Sequence, residues 1–152
     1  MPRAKDVANY LLSLSIPNTP RAITPLKLQK LVYYSQGWHM ALNNGEPLFN
    51  DEILAWEHGP VVSELYYDYK HYGYLTITPK NFNNMTKKNR KIFSKKQLEI
   101  LKAVWDSYGE YDGKYLEELT HQEEPWLTTH RNEIIKKQKI KLYFNRLISK
   151  EL

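Results

Sequence analysis

Five histidines are the first residues to weigh for chemistry. His121 and Glu123 lie in the stretch Thr120-His121-Gln122-Glu123-Glu124-Pro125-Trp126, and a histidine with nearby carboxylates can hold a metal or move a proton. No HExxH or HxH spacing supports a metal pair, and the chain has no cysteine to complete a thiolate site. The plainer expectation is that His121 bonds a backbone carbonyl and orders its loop. His39 falls on the apolar stripe of a helix and reads as a core histidine with its polar atoms satisfied. His58 precedes Gly59-Pro60 and either fixes that turn or faces a partner. His71 and His130 sit among polar neighbours and are expected at the surface. Asp51 and Glu52 are adjacent, so in a strand they point to opposite faces and cannot form a carboxylate pair. The six glycines are scattered singly, so no phosphate-cradling loop exists, and no GxSxG elbow occurs. The expectation is a protein with no metal, no cofactor and no enzymatic activity.

Binding chemistry is the better prospect. Residues 80–98 hold seven basic side chains and no acidic one, 106–124 hold seven acids against Lys114 alone, and 125–150 hold seven bases against Glu133. The first half is near neutral, with six bases and seven acids over residues 1–79. Lys87, Lys88, Arg90, Lys91, Lys95 and Lys96 lie near Phe82 and Phe93, and Lys136, Lys137, Lys139, Lys141 and Arg146 form a second basic set. Such residues contact phosphates, and aromatics stack on bases. Nucleic-acid binding by these two basic segments is the alternative reading. Against it stands the acidic block between them. Twelve tyrosines and four tryptophans favour a protein interface instead. Tyr33-Tyr34 and Tyr66-Tyr67 each place two rings about 100° apart on a helix, so at least one ring of each pair is expected to be partly exposed.

The elements that position these residues follow from spacing. Ala4, Val7, Ala8 and Leu11 recur at helical period over 3–15. Thr24-Pro25 is a strong helix start, since Thr accepts an orphan N–H and Pro suits the first position. Leu28, Leu31, Val32, Ser35, Trp38, His39 and Leu42 share a face, so residues 25–42 form the central helix, ended by Asn43-Asn44-Gly45. Ile53-Leu54-Ala55-Trp56 reads as a short strand, Gly59-Pro60 as the start of the next helix, and Tyr74–Thr78 as a second strand pairing with the first. Residues 80–96 read as an exposed basic loop. Ser94 with Gln97 is a capping box. Leu98, Leu101, Val104, Trp105 and Tyr108 form a stripe, Asp112 caps a shorter helix, Pro125 opens a turn, and Ile140, Tyr143, Phe144 and Leu147 form a last helix. The fold class is mainly α: one compact domain over 1–152, with five to six helices around the central helix and one small two-stranded β element. The longest uninterrupted apolar runs are four residues, far below the roughly 20 needed to span a bilayer, and no signal-peptide core is present. A cytoplasmic protein that stays off the membrane is expected.

Three stretches carry a resemblance. They are Leu26-Lys27-Leu28-Gln29-Lys30-Leu31-Val32-Tyr33-Tyr34, Ala55-Trp56-Glu57-His58-Gly59-Pro60-Val61-Val62, and Thr120-His121-Gln122-Glu123-Glu124-Pro125-Trp126. In this order and spacing they resemble the Panacea antitoxin domain family, also described as SocA-like or phage-associated GepA-like. The resemblance implies a mainly helical domain that neutralises a toxin protein encoded beside it, by direct binding in most members. In the SocA branch it implies a proteolytic adaptor that hands the toxin to an AAA+ protease. It carries over no catalytic residue. Within these motifs Leu28, Leu31, Trp56 and Trp126 are expected in the core, with Gly59, Pro60, His121 and Pro125 as structural partners. On helical phase, Lys27, Lys30, Tyr34, His58 and Tyr66 are expected to be exposed and to contact the partner.

Overall fold

The computed structural model describes residues 1–78 and 91–151. In chain order it contains α1 (Ala4–Leu14), α2 (Pro25–Leu42), β1 (Leu54–Trp56), β2 (Gly59–Val61) and α3 (Ser63–Tyr69), which runs into a 3-10 turn (Lys70–Tyr72). Then come α4 (Lys95–Tyr108), α5 (Gly113–His121), α6 (Glu124–Leu127) and α7 (Lys137–Glu151). The expected mainly helical fold with a small two-stranded sheet is what forms. No helix among the described residues is long and apolar enough to cross a membrane.

Local chemistry sets the helix starts. Thr24 Oγ1 accepts the Lys27 N–H at 3.3 Å, Ser94 and Gln97 form a reciprocal box at 3.1 and 2.9 Å, and Asp112 Oδ1 accepts the Tyr115 N–H at 2.8 Å. Each cap satisfies amides that the first turn cannot pair within itself. Pro125 sits in the first turn of the four-residue α6, where its missing N–H costs nothing.

Helix α2 is the axis of the fold. It packs against α1, α4, α5 and α7, and the core gathers Val7 and Leu11 of α1, Leu28, Leu31 and Val32 of α2, Leu101 and Val104 of α4, Leu116 of α5, and Ile140 and Phe144 of α7. Gly37 lets α7 approach: a Cβ there would stand 2.2 Å from the Phe144 ring.

Enclosure by four helices changes the expected faces of α2. Lys27, Lys30 and Tyr34, expected at the surface, are buried, and so are both members of the Tyr33-Tyr34 pair. Phase analysis assumes that a polar residue marks the solvent side. Here every side of the helix is covered, and its polar residues instead satisfy loop backbone. Lys27 Nζ donates to Pro20 O and Gly109 O at 2.8 and 2.6 Å. Gln29 makes two bonds to Val62, at 3.0 and 2.9 Å. Gln36 bonds Leu48 N and Phe49 O, at 2.7 and 2.8 Å. His39 is the satisfied core histidine expected, its Nδ1 2.7 Å from Glu46 O. Desolvation holds it below the ordinary histidine value.

The β element differs from expectation. β1 pairs antiparallel with β2 across the two-residue turn Glu57-His58, in the register Leu54–Val61, Ala55–Pro60, Trp56–Gly59. Gly59-Pro60 therefore forms a strand, and α3 begins at Ser63. The proline that suggested a helix start sits on an edge strand, where its missing N–H is tolerated. Gly59 adopts φ +109°, which a side chain would strain. Tyr74–Thr78 does not pair with β1; Ile77 instead donates its N–H to Ile23 O at 2.8 Å. The free edge of β1 is occupied by 132–135, where Ala55 N donates to Glu133 O at 2.9 Å and Ile135 N to Ile53 O at 2.7 Å. The basic loop expected over 80–96 lies outside the described residues as far as 90. Beyond it, Phe93 is buried, and Lys95 and Lys96 are exposed in the first turn of α4.

Candidate functional site: the hairpin junction

The three motifs meet at one place. The hairpin packs through β2 against α2 and α5, and Trp126 of α6 bonds the Trp56 carbonyl of β1. Glu117 of α5 is at the centre, 3% exposed. Its Oε1 takes a 2.5 Å bond from His58 Nδ1 at the hairpin tip, and its Oε2 takes a 3.2 Å bond from Lys114 Nζ. Burial alone would raise this carboxyl, but the bonds and charges of His58 and Lys114 outweigh it and hold it below the ordinary value. Lys30 rises from α2 beneath the same turn. Its Nζ donates to Pro60 O at 3.2 Å, and its side chain is 0% exposed. Desolvation lowers the amine to about 7, against the opposing pull of Glu117. Gly59 is needed here for space as well as for φ: a Cβ would meet Lys30 Cε at 2.8 Å and Thr120 Oγ1 at 2.9 Å.

The loop between α5 and α6 closes the junction. His121 stacks on Trp126, with ring centroids 4.0 Å apart. It also bonds the Glu57 backbone, as the loop-ordering reading expected; burial nonetheless pulls it below its ordinary value, with Glu117 and that backbone bond opposing. Trp126 Nε1 donates to Trp56 O at 2.7 Å, and the Arg131 guanidinium lies 3.6 Å over the Trp126 ring. Glu123 turns away from His121 and inward: its Oε2 accepts the Tyr34 O–H at 2.9 Å. Burial lifts Glu123 to about 7, less the effect of that bond, and burial with the facing carboxyl lifts the Tyr34 phenol far above its usual range. Tyr34 also stacks on Tyr108 at 4.2 Å, which accepts a 2.9 Å bond from Trp38 Nε1.

The expected site residues thus divide. His58 and Tyr66 are exposed as expected, and His58 both braces the turn and faces solvent. Lys27, Lys30 and Tyr34 are corrected to internal anchors, because burial removes them from any partner's reach. Leu28 and Leu31 are core, and Gly59, Pro60 and Pro125 are buried at the junction. Trp56 and Trp126, expected in the core, are only half-buried, because each has a face on the surface of the hairpin junction. His71 and His130 are exposed. Gln29, Lys114, Glu117, Thr120 and Arg131 were not singled out. The one available signal was Glu117 at i−4 from His121, which places a carboxyl on the same helix face. Among the described residues no group of three or more His, Asp or Glu is placed to hold a metal.

The second basic segment is partly engaged within the protein. Lys137 Nζ donates to Asn50 O and Lys139 Nζ to Thr128 O, both at 3.1 Å, and Arg146 pairs with Glu124. These contacts tie α7 to the loop ahead of β1 and to the end of α6.

The junction is therefore a set of buried polar anchors that hold the hairpin, with its exposed tip Glu57-His58, in one orientation. Comparison with curated proteins and with solved structures finds no match. Residues 28–127, from the third residue of the first motif to the residue after Trp126, match the family described as antitoxin SocA-like, Panacea domain. That span contains the junction from Gln29 to Trp126, and the chain belongs to the SocA-like Panacea antitoxin domain family.

Proposed function

We propose that this protein is a cytoplasmic antitoxin that neutralises a toxin protein, encoded by a neighbouring gene, through direct protein–protein binding. The family match over 28–127 carries this reading. The use of the motif residues supports it. Gln29, Lys30, Tyr34 and Glu123, together with Glu117 beside the third motif, all bond inside the protein, and the result of that bonding is a rigidly held outer surface. Rigid presentation raises affinity because less freedom is lost on association.

Co-expression tests the proposal. The adjacent gene product should arrest growth when expressed alone, growth should return when this chain is co-expressed, and the two should co-elute as a complex. A product that is harmless alone, or rescue with no complex, overturns it. Rescue that vanishes on deletion of the host AAA+ proteases would assign the adaptor mechanism instead.

A further inference from the structure

Glu123 is buried without a counter-ion. It stands immediately before the four-residue α6, 7% exposed, and its side chain caps no amide of that turn. It points inward instead, where Oε2 accepts the Tyr34 O–H at 2.9 Å and Oε1 has no hydrogen-bond partner among the described residues. The buried Tyr33 phenol has none there either. The groups facing the carboxyl are phenols. Tyr33 and Tyr34 of α2 and Tyr143 of α7 all feel its charge, and Tyr108 of α4 stacks on Tyr34. Arg146 of α7 pairs with Glu124, the next residue along. His121, at the end of α5, faces Glu117, Lys30 and Arg131. No ion pair among the described residues reaches Glu123. A charged carboxylate in this place is desolvated with one hydrogen bond to offset the cost, and the neutral acid avoids that cost.

The turn that Glu123 precedes is lightly held from outside. Gln122, Glu124, Leu127, Thr128 and His130 are exposed, and Pro125 and Thr129 are the buried residues beyond Glu123. Its outer attachment is Trp126, whose Nε1 donates to Trp56 O at 2.7 Å and whose ring stacks on His121 at 4.0 Å. A short segment with few buried side chains opens at less cost than the core unfolds.

We infer that α6 is a clasp tightened by protonation: neutral Glu123 keeps the turn seated against Tyr34, and loss of its proton favours an open form in which Glu123 reaches water and Trp126 releases Trp56. The clasp is a property of this chain alone and does not depend on the antitoxin reading.

Opening and ionisation are linked. Burial lifts the seated carboxyl to about 7, while a carboxyl in water keeps its ordinary value of 4.5. Between those values the open form has lost its proton and the seated form keeps it, so opening grows by up to about tenfold per pH unit and levels off above 7. From pH 5 to pH 8 the ratio of open to seated should rise about seventyfold. His121 works in the opposite direction, because burial holds it below its ordinary value and opening lets it take up a proton in acid. Glu123→Gln keeps an oxygen for the Tyr34 O–H and has no proton to lose, so comparison with this variant removes the His121 contribution.

Hydrogen exchange of the tryptophan indoles, read by NMR on the full chain and corrected for the intrinsic pH dependence of exchange, tests the clasp. Between pH 5 and pH 8 the Trp126 indole should lose about seventyfold more protection in the unaltered chain than in Glu123→Gln. At pH 7 low urea should leave Trp126 protection nearly unchanged, because little surface is exposed on opening. The same urea should reduce protection of the Trp38 indole, which donates to Tyr108 Oη at 2.9 Å in the core. Equal pH profiles for Trp126 in the two proteins would overturn the proton dependence. Equal urea responses of Trp126 and Trp38 would show that Trp126 exchanges only when the whole molecule unfolds, and would overturn the clasp. If Glu123→Gln does not fold, NMR titration of the Glu123 carboxyl in the unaltered chain decides instead: a midpoint near 7 is expected, and one near 4.5 overturns the proposal.

Discussion

Lys30→Met separates a buried amine from an exposed one. The Lys30 side chain is 0% exposed, its Nζ has Pro60 O at 3.2 Å, and desolvation brings its folded-state value from 10.5 to about 7. The unfolded chain keeps the ordinary value. Between pH 7 and 10.5 the unfolded state therefore binds more protons than the folded state, and stability rises with pH. The amine's contribution is least unfavourable above 10.5 and falls as pH drops, until the folded state also takes up the proton near 7. Each pH unit is worth 1.36 kcal/mol, so the window from pH 7 to 9.5 amounts to about 3 kcal/mol. Met keeps most of the stem's volume and has no proton to bind. At pH 9.5 the two proteins should be about equally stable, since the penalty of about 1 kcal/mol already present one pH unit below 10.5 offsets the net worth of the bond to Pro60, also about 1 kcal/mol. At pH 7 the variant should be ahead by about 3 kcal/mol. Urea unfolding of both proteins at the two pH values measures this, and the difference between the two proteins cancels the other titrating groups. A stability difference that stays constant within about 1 kcal/mol across that range would refute the buried-amine argument.

Three further outcomes follow from the same packing. Glu123, lifted to about 7 by burial, keeps its proton in the folded state at pH values where the unfolded carboxyl has lost it. Stability should therefore fall as pH rises from about 4.5 to 7, by about 3 kcal/mol, and Glu123→Gln should abolish that part of the slope in thermal melts. Gly37→Ala places a Cβ 2.2 Å from the Phe144 ring, so calorimetry should show a loss of about 1–3 kcal/mol, where an unhindered helix would gain about 0.5–1 kcal/mol. Gln29→Leu leaves the Val62 N–H without its 2.9 Å partner, while the Val62 C=O loses the Gln29 amide at 3.0 Å but keeps the Tyr66 N–H at 3.2 Å. It should cost about 1–3 kcal/mol in urea unfolding, the cost of one orphaned buried group.

The residues that behaved as expected share a short reach. Thr24, Ser94 with Gln97, and Asp112 act on amides three positions away, so local sequence contains the whole interaction and the helix starts could be read directly. The apolar stripe of Leu28, Leu31 and Val32 was legible for the same reason. The three motifs could be recognised because their order and spacing are properties of the chain itself.

What depended on distant partners was not legible. Lys30 and Tyr34 lie where a helix with one covered face would meet solvent; only the closing of α5 and the α6 loop over α2 puts them inside, opposite Pro60 and Glu123. The expected strand partner of Ile53–Trp56 was Tyr74–Thr78; the pairing with Gly59–Val61, read as a helix start, rests on a backbone at φ +109° that fits between Lys30 and Thr120 only without a side chain. Sequence alone thus determined the long helices, the caps at Thr24, Ser94 and Asp112, and the family. Tertiary structure decided which polar residues are anchors and which aromatics face outward, because burial is set by what packs against a residue and not by the residue's own polarity.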